Sequence, residues 1–215
     1  MHAYTLVEAL LLILLIIYKW LLHNQSVLDL LTFLPIFFTA IYMFANKKII
    51  SKQDKLLYLA LLIAVLGDIF LIYINNVYGI YSFLLIQLIY FYYFNNEKVK
   101  ISYLIYIALL VLITCLLLGH SSLIIEGVIY FVIFARNLYS TLNYQEHTKK
   151  TLLILIGFIF LAVCDTNVFL VSCLQEYNIL PLLEKIFFTI EWTAYISFQV
   201  IISYSITKIK NINAS

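Results

Sequence analysis

The sequence predicts an all-α protein, a polytopic bundle of about eight transmembrane helices, and three observations carry that prediction. The first is composition: 215 residues are 65% hydrophobic and only 11% charged, with a mean hydropathy of +1.03. A soluble domain carries about 25% charged residues, so this chain lacks the polar surface to coat a globule and its exterior is matched to lipid. The second is segmentation. Apolar residues fall in runs near the ~20 residues that cross a bilayer, separated by short polar joints. The third is periodicity: the runs are continuously apolar, whereas barrel strands alternate apolar and polar residues over about ten positions. The net charge of +2 gives no basic surface for nucleic acid.

The predicted spans are roughly 4–22, 27–46, 56–74, 79–94, 100–118, 122–141, 151–172 and 182–207, in a single transmembrane domain over 1–215. The first run is not followed by a small-residue cleavage site, so it reads as a retained span. Each later run is bounded by polar residues: His23 to Ser26, Asn46 to Lys48, Asn75-Asn76, Asn95 to Lys98, Gly119 to Ser122, Gln145 to Lys150 and Gln175 to Asn178. None of these joints is long enough for a soluble domain. Cys115, Cys164 and Cys173 lie in or at the end of apolar runs and read as small buried hydrophobes. The histidines lie at segment ends without metal-ligand spacing, so no metal or cofactor is expected.

Lysine placement sets the orientation. Ten lysines in the second, fourth and sixth joints and the C-terminal tail, with Arg136, stand against Lys19 and Lys185 on the other side. That bias places both termini in the cytoplasm, in a multi-pass protein expected in the cell's inner membrane. On this orientation Asp68 lies about 12 residues, or ~18 Å, from the inner end of the third span, and Asp165 about 14 residues, or ~21 Å, from that of the seventh. Gln87, Tyr130 and Glu191 follow the outer ends of their spans by about eight or nine residues, which is the same layer. Pro35 is at this depth and is expected to kink the second span.

The two aspartates are the centre of the functional reading. Each sits in an apolar run with no cation near it in sequence. A charge at mid-membrane depth costs about 2.5–3.5 kcal/mol on insertion scales, so such groups face a bundle interior or a wet cavity. Helical spacing supplies the rest of the expected pocket. Glu191, Tyr195, Gln199 and Ser203 recur at steps of four; Gly79, Phe83, Gln87 and Tyr90 share a face; so do Glu126, Tyr130, Asn137 and Thr141, and Thr32, Pro35 and Thr39. Thr166 and Asn167 flank Asp165, and Gly157 and Ala162 allow close helix approach. Interhelical hydrogen bonding alone also explains single polar residues in spans.

At Leu66-Gly67-Asp68-Ile69-Phe70-Leu71 the chain resembles the YhhN-like family of eight-span membrane proteins, which includes the lysoplasmalogenases. The resemblance continues through Gly79, Phe83, Gln87 and Tyr90, then Gly157, Phe160, Cys164 and Asp165, and closes on Tyr195 and Gln199, covering about residues 56–207 in order and spacing. The chain departs from the family pattern at Gln87, where the family often has His, at Cys164, where it has Ser, and at Leu34-Pro35, where it has Lys-Pro. The resemblance implies hydrolysis of the vinyl ether of a lysoplasmalogen to a fatty aldehyde and a glycerophospho-alcohol. Asp68 and Asp165 would be catalytic, and Gln87, Tyr90, Tyr130, Glu191, Tyr195 and Gln199 would line the substrate site. The expected partner is a membrane lysophospholipid. One protonated carboxyl and one carboxylate suit this reaction, as in glycoside hydrolysis. Two other classes compete: a small proton-coupled transporter, which uses intramembrane acids as a relay, and a non-catalytic lipid-binding membrane protein, which needs none.

Overall fold

A computed structural model describes residues 2–22, 24–47, 50, 54–74, 76–94, 122–142, 148–176 and 181–208. The predicted span 100–118 lies outside the described residues, as do the side chains of Glu126, Cys115 and Cys173. Seven helices are described: α1 (His2–Leu21), α2 (Gln25–Asn46), α3 (Lys55–Ile69), α4 (Asn76–Phe94), α5 (Ser122–Leu142), α6 (Lys149–Glu176) and α7 (Pro181–Lys208). No strand occurs among the described residues. Five of the helical stretches are long and apolar enough to cross a membrane: Ala3–Leu21, Gln25–Asn46, Lys55–Ile74, Lys149–Val168 and Pro181–Thr207.

The helix ends follow local chemistry. Asn24 caps α2, its side chain accepting from the Val27 backbone N–H at 3.4 Å. Thr148 does the same for α6, accepting from the Thr151 N–H at 3.2 Å. Pro181 opens α7, where its missing N–H has no intrahelical partner to lose. α2 runs through Pro35 without a break in helix. α6 continues to Glu176, past the Gln175 boundary expected from polarity. α3 ends in a π-helical turn, Phe70–Ile74, beginning two residues after Asp68. There the Phe70 N–H is shared between the carbonyls of Leu66 and Gly67.

The exterior is apolar. On α1, Leu6, Leu10, Ile13, Leu14, Ile17 and Leu21 are exposed at helical spacing, while Glu8 and Leu15 are buried on the other face. A stripe of large aliphatic side chains directed outward is stable in hydrocarbon and unfavourable in water.

The helices form two compact units, Met1–Ser51 with Thr148–Ser215, and Lys52–His147. In the first, α6 and α7 pack along one another as an antiparallel pair, and α1 and α2 pack on each other and on α7. Its core holds Leu15, Ile36, Met43, Ile154, Phe158 and Ile202. A Cβ on Gly157 would lie 2.9 Å from Ile202 Cδ1, so the small residue sets the close approach of α6 to α7. In the second unit α4 packs against α3 on one side and α5 on the other. Gly67 and Gly79 make the α3–α4 crossing: a Cβ on Gly67 would meet Ser82 Cβ at 3.0 Å, and one on Gly79 would overlap Leu71 and reach the Gly67 carbonyl at 3.3 Å. The glycines of the family-like pattern are therefore packing positions.

Candidate functional site

In the first unit, the register of α6 against α7 determines what Asp165 meets. Phe158 and Phe198 make an edge contact, ring centroids 6.4 Å apart. Asp165 lies seven residues beyond Phe158 on α6, and Glu191 seven residues before Phe198 on antiparallel α7, about two turns on each. The register thus brings the two carboxyls to one level, and the charges of Asp165 and Lys19 both act on Glu191. Both carboxyl side chains are half-buried. Asp165's sequence neighbours do not join them: Thr166 donates to the Ala162 carbonyl at 2.8 Å and Asn167 to the Val163 carbonyl at 2.7 Å, each within α6.

Lys19 connects this pair to the ends of the helices. Its Nζ donates to Glu184 at 3.0 Å and sits 4.8 Å from the Phe188 ring centroid. Lys185 donates to the Trp20 carbonyl at 3.2 Å, and the Trp20 indole N–H donates to Thr189 at 3.0 Å. Beside them lies a cavity of about 220 Å³ lined by Lys19, Asn24, Gln25, Leu28, Pro181, Glu184 and Lys185, among others. It offers two ammonium groups, one carboxylate and side-chain amides above an apolar floor.

The predicted α7 stripe is present, with Tyr195, Gln199 and Ser203 buried and Glu191 half-buried. Tyr195 packs edge-on to Trp192 and stacks on Phe198. Gln199 belongs to a separate polar cluster. Glu191 and Gln199 are eight residues apart, about 12 Å along the helix. At the Gln199 level the Thr39 hydroxyl lies 3.1 Å from Gln199 Oε1, 3.2 Å from Glu8 Oε1 and 2.9 Å from the Tyr4 hydroxyl. Glu8 is 1% exposed, and the sequence reading missed it. Its signal was legible: Glu8 is the lone acid in α1, four residues after Tyr4 in an otherwise apolar run.

In the second unit Asp68 is buried at the end of α3, between the Gly67–Gly79 crossing and the π-helical turn. Helical segments of this kind are frequent beside functional groups. Gln87 is 1% exposed and makes three hydrogen bonds. Its Nε2 donates to the Tyr130 hydroxyl at 3.0 Å, while its side-chain and backbone oxygens each accept from Asn137 Nδ2 at 2.8 Å. Tyr90 and Tyr130 are buried, and Tyr130 stacks on Phe134. Thr141 donates to the Asn137 carbonyl at 2.8 Å. Arg136 donates to Ser140 on its own helix at 2.6 Å. A further acid, Asp54, is 1% exposed and accepts from Tyr93 at 3.3 Å.

Among the predicted site residues, the structure thus joins Asp165 with Glu191, and Gln87 with Tyr130. Asp68 and Asp165 belong to different units. No cluster of three or more His, Cys, Asp or Glu suited to a metal occurs among the described residues. No family model, curated protein or solved structure matches the chain.

Proposed function

We propose that this chain is an integral membrane hydrolase of the lysoplasmalogenase kind, cleaving the vinyl ether of a lysoplasmalogen. The observation that carries the reading is the opposition of Asp165 and Glu191 on antiparallel apolar helices, linked through Lys19 to a cavity with two lysines and a glutamate. Carboxyl groups held in an apolar helix pair are costly, and their natural use is proton transfer. The residue pattern that resembles the YhhN-like family supports the choice of reaction.

The chemistry follows from the groups. A carboxyl proton is delivered to the vinyl carbon β to the ether oxygen, the C=C electron pair forms the new C–H bond, and positive charge develops on the ether carbon and oxygen. A carboxylate beside that cation stabilises it. Water adds to the ether carbon and gives up a proton to the carboxylate; the hemiacetal then breaks its C–O bond to release aldehyde and alcohol. Asp165 and Glu191 act as acid and stabiliser, sharing one charge and one proton between them. Tyr195, one turn from Glu191 on α7, adds to the lining. Lys19 and Lys185 suit the lipid phosphate, and Glu184 suits an ammonium head group. In the eight-span arrangement with cytoplasmic termini, this cavity opens at the outer leaflet, where a single-chain lipid can enter between helices.

The test is turnover by the purified full chain, in detergent and in lipid vesicles, with a lysoplasmalogen and with the matching acyl lysophospholipid. Aldehyde release from the vinyl ether alone, abolished by Asp165→Asn, is the expected result. Absence of aldehyde from every lysoplasmalogen head group overturns the proposal.

A further inference from the structure

The cluster around Glu8 is independent of the Asp165 pair and of the hydrolase reading. It contains Tyr4 and Glu8 from α1, Thr39 from α2, and Gln199 from α7, with Ser203 one turn beyond Gln199. Glu8, Thr39, Gln199 and Ser203 are each no more than 1% exposed. Glu8 Oε2 has no hydrogen-bond partner among the described residues. No basic side chain among the described residues pairs with Glu8; its hydrogen-bond partner is Thr39. The titratable groups that face the cluster are Tyr4 on α1 and Tyr42 on α2, whose rings stack with centroids 4.0 Å apart; α7 contributes only the neutral Gln199 and Ser203.

The hydrogen count allows two arrangements, and burial separates them. The Thr39 hydroxyl has one hydrogen and two acceptors in reach, Glu8 Oε1 and Gln199 Oε1, and a hydroxyl oxygen can itself accept twice. If Glu8 is ionised and Thr39 donates to it, the Gln199 amide must turn so that its nitrogen donates to Thr39. That arrangement leaves a fully buried carboxylate with one hydrogen bond, one bare oxygen and no counter-charge, the costliest state a buried polar group can adopt. If Glu8 carries a proton on Oε1, every short contact has a donor and an acceptor. Glu8 and Tyr4 both donate to Thr39, Thr39 donates to Gln199 Oε1, and the bare Oε2 is a neutral carbonyl oxygen.

We propose that Glu8 is a proton-binding site within the membrane-spanning part of the first unit, occupied at neutral pH and bonded through its own hydrogen to Thr39. Tyr4 lies one turn nearer the start of α1, and Tyr42, stacked on it, meets the Thr207 hydroxyl at 3.0 Å near the end of α7. These hydroxyls lead from Glu8 toward the helix ends and give the proton a polar way in.

The test is infrared difference spectroscopy of the purified full chain in lipid at neutral pH, wild type against Glu8→Gln, with isotopically labelled glutamate to separate glutamyl from aspartyl carboxyls. The expected result is loss of one protonated-acid carbonyl band that moves to lower frequency in heavy water. Thr39→Val removes the acceptor of the acid hydrogen and moves the same band to higher frequency. Because that reading uses the native Glu8, it stands even if Glu8→Gln does not fold. Loss of carboxylate bands from Glu8→Gln at neutral pH, or no response of any glutamyl carbonyl band to Thr39→Val, overturns the proposal. A glutamyl carboxylate band that responds to sodium but not to pH also overturns it, and gives the site to a metal cation.

Discussion

The two units of this protein solve the same problem, polar groups among apolar helices, in different ways. In the unit built from α3, α4 and α5, Gln87, Tyr130 and Asn137 form a neutral network in which Gln87 uses its amide nitrogen, its amide oxygen and its backbone oxygen. In the unit built from α1, α2, α6 and α7, acids take part in the polar contacts between helices. Asp165 faces Glu191, Glu184 holds Lys19, and Glu8 sits buried with one bare oxygen. A neutral network whose donors find acceptors mainly orients helices. Carboxyls facing one another in an apolar setting keep unused capacity to take up and release protons, and that capacity is what chemistry requires. Glutamine at position 87, a neutral side chain, fits this division.

The comparison is broken most severely by neutralising the acids. Asp165→Asn and Glu191→Gln are each expected to lower turnover of lysoplasmalogen by roughly 10²–10⁴-fold, the scale of positioned acid–base groups. The Asp165→Asn, Glu191→Gln double variant is expected to cost little more than the worse single one, because the two act as a unit. Single-turnover kinetics on the purified variants checks both statements; parent-like rates in both singles would reduce the acids to packing elements.

Next in size is the glycine crossing of the second unit. A side chain at Gly79 would overlap Leu71 and press on the Gly67 backbone. Gly79→Leu is expected to destabilise the fold by about 1–3 kcal/mol, the usual cost of overpacking. Gly157→Ala should cost less, because the atom it meets is the free end of Ile202. Unfolding in mixed detergent ranks the two.

A smaller effect is expected from Asn137→Ala, which takes two hydrogen bonds from Gln87. It should lower stability by about 1 kcal/mol, near the range for interhelical hydrogen bonds in membranes, while turnover stays within about threefold. A large loss of turnover would move Gln87 from orientation into the chemistry.

Smallest is Lys19→Ala. Its bridge to Glu184 is partly exposed, so stability should change by less than about 1 kcal/mol. The sharper readout is kinetic: KM for a phosphate-bearing lysolipid should rise with kcat nearly unchanged, the signature of lost ground-state binding.

Sequence alone was sufficient for the helices because lipid imposes a simple rule: every backbone polar group must be satisfied within its own segment, so long apolar runs become helices. The spans expected at 27–46 and 56–74 appear as the membrane-length stretches Gln25–Asn46 and Lys55–Ile74, and the run at 122–141 appears as the helix Ser122–Leu142. Step-of-four spacing likewise marked the buried faces of α4, α5 and α7, since helical geometry carries that information within a segment. Register between helices was not legible, because it depends on which side chains interlock across two surfaces. Gly157 against Ile202 and Phe158 against Phe198 bring Asp165 level with Glu191. The α7 stripe likewise looked uniform in sequence, yet the packing of α1 and α2 on α7 assigns Gln199 to Thr39 and Glu8, about 12 Å along the helix from Glu191. The sequence by itself determined which residues are polar within apolar helices; only tertiary packing decided which acids meet, because the partner of a buried carboxyl is chosen by distances of a few ångströms between segments far apart in the chain.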